Sequence, residues 1–224
     1  MTHFAKTEKT RVRRKPDRSH YDADTVYAIL DAGFICHVGY VIDGKPYVTP
    51  TCYWREGDRI YWHGSHASRM LRAVEGKPAC VTVTHIDGLV AARSGFHHSV
   101  NYRSVMLFGK PHKVEDSRDK LRALENFIER IYPGRWRELR SVTKKELKAT
   151  TVLHMPIAEA SAKIRSGGPV DDKEDYALPV WAGVVPLALI HRTPVPDSRL
   201  PRGARPSSCL FDFARLGMAP AHPA

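Results

Sequence analysis

Phe34-Ile-Cys-His-Val-Gly-Tyr-Val-Ile42 runs through Asp43-Gly44 into Tyr47-Val-Thr-Pro-Thr-Cys-Tyr-Trp54. Both runs are rich in β-branched and aromatic residues, which suit a pleated, half-buried surface. Asp-Gly accepts positive φ at the two central positions of a tight turn, so the stretch reads as a β-hairpin. Glu56-Gly-Asp58 then turns the chain into Arg59-Ile-Tyr-Trp-His63, a third antiparallel strand. Further along, Ala79-Cys-Val-Thr-Val-Thr-His-Ile86 reads as a strand turning at Asp87-Gly88 into Leu89-Val-Ala-Ala92. The run 98–114, Thr151-Val-Leu-His-Met155 and Ala160-Ser-Ala-Lys-Ile164 add more strands.

Helical signals fall between these strands rather than alternating with them. Asp22 or Asp24 caps a helix through Val26, Ile29 and Leu30, ended by Gly33. Ser65 reads as the cap of a helix over 66–75, stopped by Gly76. Asp116 opens an amphipathic helix with Leu121, Leu124, Phe127, Ile128 and Ile131 on one face. Thr143-Lys-Lys-Glu146 is a capping box. Antiparallel turns with inserted helices argue against a doubly wound parallel sheet. They predict a mainly β fold of six to seven antiparallel strands curled into a small closed barrel, since closure removes exposed edges.

The 224 residues carry 35 Lys and Arg against 24 Asp and Glu, a net charge of +11. Residues 1–18 hold seven basic and two acidic residues and 191–224 hold five and two, which leaves only +3 for 19–190. The reading is therefore a basic flexible arm (1–18), one globular domain (19–190) and a Pro-rich tail (191–224). A basic arm can touch nucleic acid weakly, but a solvated arm is the plainer reading, and no specific nucleic-acid partner is expected. No apolar run is long enough to span a bilayer and no apolar leader opens the sequence, so a cytoplasmic protein without a membrane partner is expected. Cys36, Cys52, Cys80 and Cys209 lack C-x-x-C spacing and read as reduced.

Two stretches carry chemistry. Tyr61-Trp-His-Gly-Ser-His-Ala-Ser-Arg-Met-Leu71 ends a strand at His63, where Gly64 permits close approach of a ligand. It then gathers Ser65, Ser68 and Arg69, donors that suit a phosphate. An ordinary capped helix with a surface arginine is the alternative. Arg93-Ser-Gly-Phe-His-His-Ser-Val-Asn-Tyr-Arg-Ser104 offers Arg93, Ser94, Asn101, Arg103 and Ser104 to a polar ligand, or is a solvent-facing strand. His97 and His98 point to opposite faces if in a strand, and His63-x-x-His66 has no acidic or thiol companion. No metal site is predicted.

Together these segments, with Val48-Thr-Pro-Thr51, Asp87-Gly-Leu-Val90 and Asp171-Asp-Lys-Glu-Asp-Tyr-Ala-Leu-Pro-Val-Trp-Ala-Gly183, resemble the pyridoxamine 5′-phosphate oxidase-related, flavin-nucleotide-binding family. They resemble in particular its nitroimidazole-resistance-like branch. The resemblance covers about residues 20–190. It implies a split β-barrel of the FMN-binding type, a homodimer, and FMN at the dimer interface. It implies that Thr49, Pro50, Thr51, Cys52 and Tyr53 line the isoalloxazine with backbone groups, and that His63 and Gly64 lie beside it. Ser68 and Arg69 match the family's phosphate site. Asn101, Tyr102, Arg103 and Ser104 add contacts across the dimer, and Trp181 resembles a tryptophan that covers the flavin. Met70 stands where the oxidase has a second phosphate-binding lysine, and the oxidase's C-terminal Arg-x-His is missing. The resemblance thus implies flavin binding without implying oxidation of pyridoxamine phosphate.

The expected function is an FMN-dependent oxidoreductase that takes electrons from NADH or NADPH and passes them to a small acceptor such as a nitroaromatic. His63 is the candidate for tuning the ring or donating a proton to it. Two alternatives stay open: a flavin carrier without turnover, and a haem-binding split barrel with His97 or His98 as axial ligand.

Overall fold

A computed structural model describes residues 2–211 and 219–220. In chain order the elements are β1 (Ser19–His20), α1 (Ala23–Asp31), β2 (Ile35–Ile42), β3 (Lys45–Glu56), β4 (Arg59–Ser65) and α2 (Arg69–Val74). There follow β5 (Ala79–Ala91), β6 (Ser99–Gly109), β7 (His112–Lys113), α3 (Ser117–Ile131) and α4 (Lys144–Ala149). β8 (Thr150–Pro156), β9 (Glu159–Arg165) and β10 (Gly183–Pro186) complete the sheet. Its order is β1-β9-β6-β5-β2-β3-β4-β8-β7, with β10 added to β5. Seven strands have seven residues or more, as expected, and β1, β7 and β10 are short additions. The ladder ends at β1 and β7 and does not close on itself, so the expected closed barrel is an open, curled one.

Alternation explains the core. Cys36 and Val38 of β2, Ile60 and Trp62 of β4, Val81 and Val83 of β5, and Val105 and Leu107 of β6 point inward and are buried. Burial pushes the Cys36 thiol up to about 12, so this residue is an inert hydrophobe. Helix α1 joins this core with Val26, Ile29 and Leu30. Its C-terminal carbonyls, which no helix can satisfy internally, are taken by long-range partners. His85 Nε2 meets Ile29 O at 2.9 Å, Tyr53 Oη donates to Leu30 O at 2.5 Å, and Arg130 donates to Asp31 O. The helix end is thereby tied to β5, β3 and α3. Helix α3 covers the outer face of β3, β4 and β8 through Trp54, Ala123 and Val152.

The β2–β3 hairpin has the two-residue turn expected, with φ of 50° at Asp43 and 75° at Gly44. The second Asp-Gly pair does not turn the chain. β5 continues through Asp87-Gly88 with a bulge, because β6 pairs along its whole length and β10 pairs across Gly88. A Cβ at Gly88 would lie 2.9 Å from Val184 Cγ1, so here the glycine admits a neighbouring strand.

Part of the N-terminal arm, expected to be flexible, lies on the barrel. Phe4 N–H donates to Tyr21 O at 2.8 Å and Tyr21 Oη donates to Thr10 O at 3.2 Å. Thr10 is 1% exposed. The end of the Pro-rich tail, 212–218 and 221–224, lies outside the described residues.

Candidate functional site

Strand β3 changes partner in mid-course. Its residues 45–52 pair with β2, and 53–56 pair with β4. The register Tyr53↔Trp62 would continue as Cys52↔His63 and Thr51↔Gly64, but there the strands part, and 63–65 pair only with β8 among the described residues. Tyr53 N–H donates to Phe34 O at 2.9 Å, on the β2 side. Alternate residues of a strand turn their main-chain groups to opposite edges, so those of Pro50 and Cys52 face the gap. Pro50 thus stands where its missing N–H costs no ladder bond, as a mid-strand proline requires. The gap is a slot edged by backbone, with the Cys52 carbonyl also taking a long 3.4 Å bond from Thr51 Oγ1. Three of the five residues expected here, Thr49, Thr51 and Tyr53, have the other parity and turn their main-chain groups to β2. Thr49 Oγ1 lies 3.1 Å from Tyr40 Oη, and the Tyr53 ring is buried against α1.

The β4–α2 loop differs from expectation in its cap. β4 goes on pairing with β8 as far as Ser65↔Thr150, so the helix starts late. Ser68 is its N-cap, accepting from Leu71 N–H at 3.4 Å, while Ser65 Oγ accepts from Ala67 N–H at 3.2 Å. Gly64 makes room for the helix, since a Cβ there would stand 3.2 Å from Leu71 Cδ1. Arg69 is exposed, with its guanidinium 5.0 Å from the Tyr47 ring centroid.

A cavity of about 520 Å³ lies between β4, α3 and the segment 136–146. Leu124, Phe127, Ile128, Trp136, Leu139 and Val142 make most of its lining apolar, the Arg140–Glu146 ion pair and Thr150 edge it, and His63 is part of its wall. The His63 ring lies 4.7 Å from Phe127 and 5.9 Å from Trp54. Its Nδ1 is buried and has no hydrogen-bond partner among the described residues. Burial holds the imidazole below its usual pKa, so it is neutral at pH 7. His63 also flanks the slot. The periodicity of α3 revealed its apolar face, but not that Leu124, Phe127 and Ile128 line a cavity rather than fill a core.

The 93–104 stretch is mostly used within the chain. Asn101 accepts from Arg165 and donates to Gly167 O at 3.1 Å. Arg103 forms a two-pronged pair with Asp87 at 2.8 and 2.9 Å, and Ser104 Oγ donates to Lys163 O at 3.3 Å. Tyr102 is half-buried. These groups therefore do not of themselves call for a second protomer. Ser94 Oγ is buried without a partner among the described residues. Arg93 binds Asp171 at 3.0 Å and sits over the Tyr176 ring, pinning the 171–176 segment. His98 Nδ1 meets Ser94 O at 2.9 Å, and His97 Nε2 lies 3.3 Å from Asp172, so neither faces the apolar cavity. Trp181 is 67% exposed.

Burial alone would raise the Asp171 carboxyl, but the Arg93 side-chain and backbone N–H bonds outweigh it and hold the pKa below the usual range. A depressed pKa stabilises the fold at pH values above the usual carboxylate range, and that stabilisation is lost as pH falls through the folded pKa. Asp171→Asn should therefore melt below the wild type at pH 7, with the gap closing on acidification toward pH 3. Thermal melts across that range check it, and a gap independent of pH would count against the ion pair.

The family model of pyridoxamine 5′-phosphate oxidase matches residues 22–164. Among solved structures, the flavocytochrome Anf3 from Azotobacter vinelandii is 46% identical, over 92% of this chain and 97% of that one, with a TM-score of 0.89. The FAD and heme binding protein from Mycobacterium smegmatis is 36% identical, over 88% and 97%, with a TM-score of 0.84. A protein named for 5-nitroimidazole antibiotic resistance, from Bacteroides thetaiotaomicron, is 22% identical over 65% and 86%, with a TM-score of 0.54, a likeness of fold alone. No curated protein matches the chain.

Proposed function

The chain belongs to the pyridoxamine 5′-phosphate oxidase family, and from that premise we propose that it is a redox protein with two cofactors, a flavin and a haem. The observation that carries the haem is His63, a half-buried imidazole held below its usual pKa, with one ring nitrogen unpartnered among the described residues, in the wall of a largely apolar cavity. Neutral imidazole is the form that ligates iron. The names of two relatives above 30% identity, a flavocytochrome and an FAD and heme binding protein, support the reading. His63 replaces His97 and His98 as the candidate axial ligand.

For the flavin the slot between β3 and β4 fits best. Cys52 N–H and the carbonyls of Cys52 and Pro50 would orient the polar edge of the ring, and Ser68 and Arg69 would hold the phosphate common to FMN and FAD. Bound together, the flavin supplies exchange between electron pairs and single electrons, and the haem single-electron transfer. A histidine held neutral by burial is a poor proton donor at pH 7, which favours a ligating over an acid role for His63. The donor we assign is a reduced nicotinamide, and the acceptor a small molecule, nitroaromatics among those to try. Val41, Val48, Ile86 and Met106, exposed on β2, β3, β5 and β6, support a homodimer through that sheet face.

The absorption spectrum of the purified protein tests the core of this reading. Flavin bands and a Soret band are both expected, and the lack of either removes that cofactor. Anaerobic mixing with NADH or NADPH should bleach the flavin, and no bleaching would make the chain a carrier. Arg69→Ala should weaken flavin binding roughly tenfold to a hundredfold, as loss of a charge-assisted contact implies. Titration by flavin fluorescence reads it, and an unchanged affinity moves the phosphate elsewhere. Light scattering should give twice the mass of one chain, and a flavin-loaded monomer would refute the dimer.

A further inference from the structure

A second cavity, of about 740 Å³, lies beside His66 of the β4–α2 loop, lined by β7, α3, α4 and β8. Lys113, Arg118, Lys120, Lys144 and Lys148 line it together with His66, and among the described residues no carboxylate does. Lys113 is partly neutralised by Glu115 at 2.8 Å. Lys120 is held in place, donating to Leu147 O at 3.4 Å and Thr150 O at 3.1 Å, which leaves one of its three donors spare. Arg118, Lys144 and Lys148 are exposed and form no ion pair among the described residues. His66 ties the cavity to the proposed phosphate loop. Its N–H donates to Ala149 O at 2.7 Å, and its ring lies 3.4 Å from Thr151 Oγ1.

We propose that this basic cavity receives a nucleoside diphosphate. Arg118, Lys144, Lys148 and the spare donor of Lys120 point to a group with several anionic oxygens, and a diphosphate offers more of them, spread over a longer span, than a single phosphate. Leu121 and Leu147 supply apolar surface for a base, and the volume lies within the range of small-molecule sites. Two molecules carry this group to such a protein: FAD, through its adenosine diphosphate half, and a nicotinamide dinucleotide donor. The FAD source rests on the flavin reading above, because the loop 65–68 would then join the flavin phosphate to the cavity.

The test compares FMN, FAD and ADP binding to the full chain, by calorimetry, for wild type, Arg118→Glu/Lys148→Glu and the control Lys145→Glu. Lys145 is an exposed neighbour outside the cavity lining. If FAD is the source, wild type binds FAD more tightly than FMN. The double variant then loses that advantage, about tenfold to a hundredfold, with FMN affinity and the control unmoved. If the donor is the source, FMN and FAD bind alike. ADP then binds the flavin-loaded protein, and the double variant weakens it by a similar factor. Absence of ADP binding, together with an FMN-to-FAD ratio untouched by charge reversal, overturns the proposal. A chain that binds no flavin but binds ADP in a way the double variant weakens would refute the flavin reading and keep the cavity.

Discussion

Replacing His63 with alanine is expected to remove the Soret band while leaving the flavin bands in place. The side chain makes no hydrogen bond among the described residues, so its loss breaks no network. The cost is local, the space left beside Phe127 and Trp54, about 1–2 kcal/mol. Haem occupancy should fall to roughly a tenth or less, because an apolar lining holds a porphyrin loosely once the iron has lost its protein ligand. Added imidazole should enter the space and restore part of the band, which a merely structural histidine would not allow. A Soret band of full intensity in the variant would exclude His63 as the axial ligand. Loss of flavin with haem retained would return His63 to the flavin side of the slot.

Thr51→Pro should destabilise the chain by roughly 3 kcal/mol or more, the order expected when proline removes a ladder bond and clashes. Thr51 pairs with Cys36, and it shares the parity of Tyr53, whose N–H donates across to the β2 side. Pro50→Thr, one residue away, should change stability by less than about 1 kcal/mol, because that position faces the slot and makes no ladder bond. Urea unfolding of the two variants measures both. Equal losses would show that β3 does not turn alternate edges to β2 and to the slot.

Local signals were read well where the deciding atoms lie close in sequence. Asp43-Gly44, the Asp22 and Asp116 caps and the Thr143–Glu146 capping box all sit where expected, since each is settled within a few residues. Asp87-Gly88 has the same chemistry as Asp43-Gly44 and fails as a turn, because a strand from nearly a hundred residues later lies across it. Ser65 yields its cap role to Ser68 for a similar reason: β8 extends β4 by two residues past His63. The donors of 93–104 look spare in the sequence because their partners Asp171 and Arg165 are distant along the chain. The strand end marks His63, but its surroundings come from α3 and the 136–142 segment, and no spacing around residue 63 announces them.

Pro46 and Pro50 share the parity that faces away from β2. An open strand edge is ordinarily a template on which another chain can add and polymerise. Of the main-chain donors that residues 46, 48, 50 and 52 would offer to such an intruder, two are absent. A foreign segment cannot zip along this border, because every second rung on the donor side fails. A small flat molecule needs only one or two of the groups that remain. The break between β3 and β4 would therefore select a guest by its length, and the barrel can stay parted there without becoming a seed for fibres.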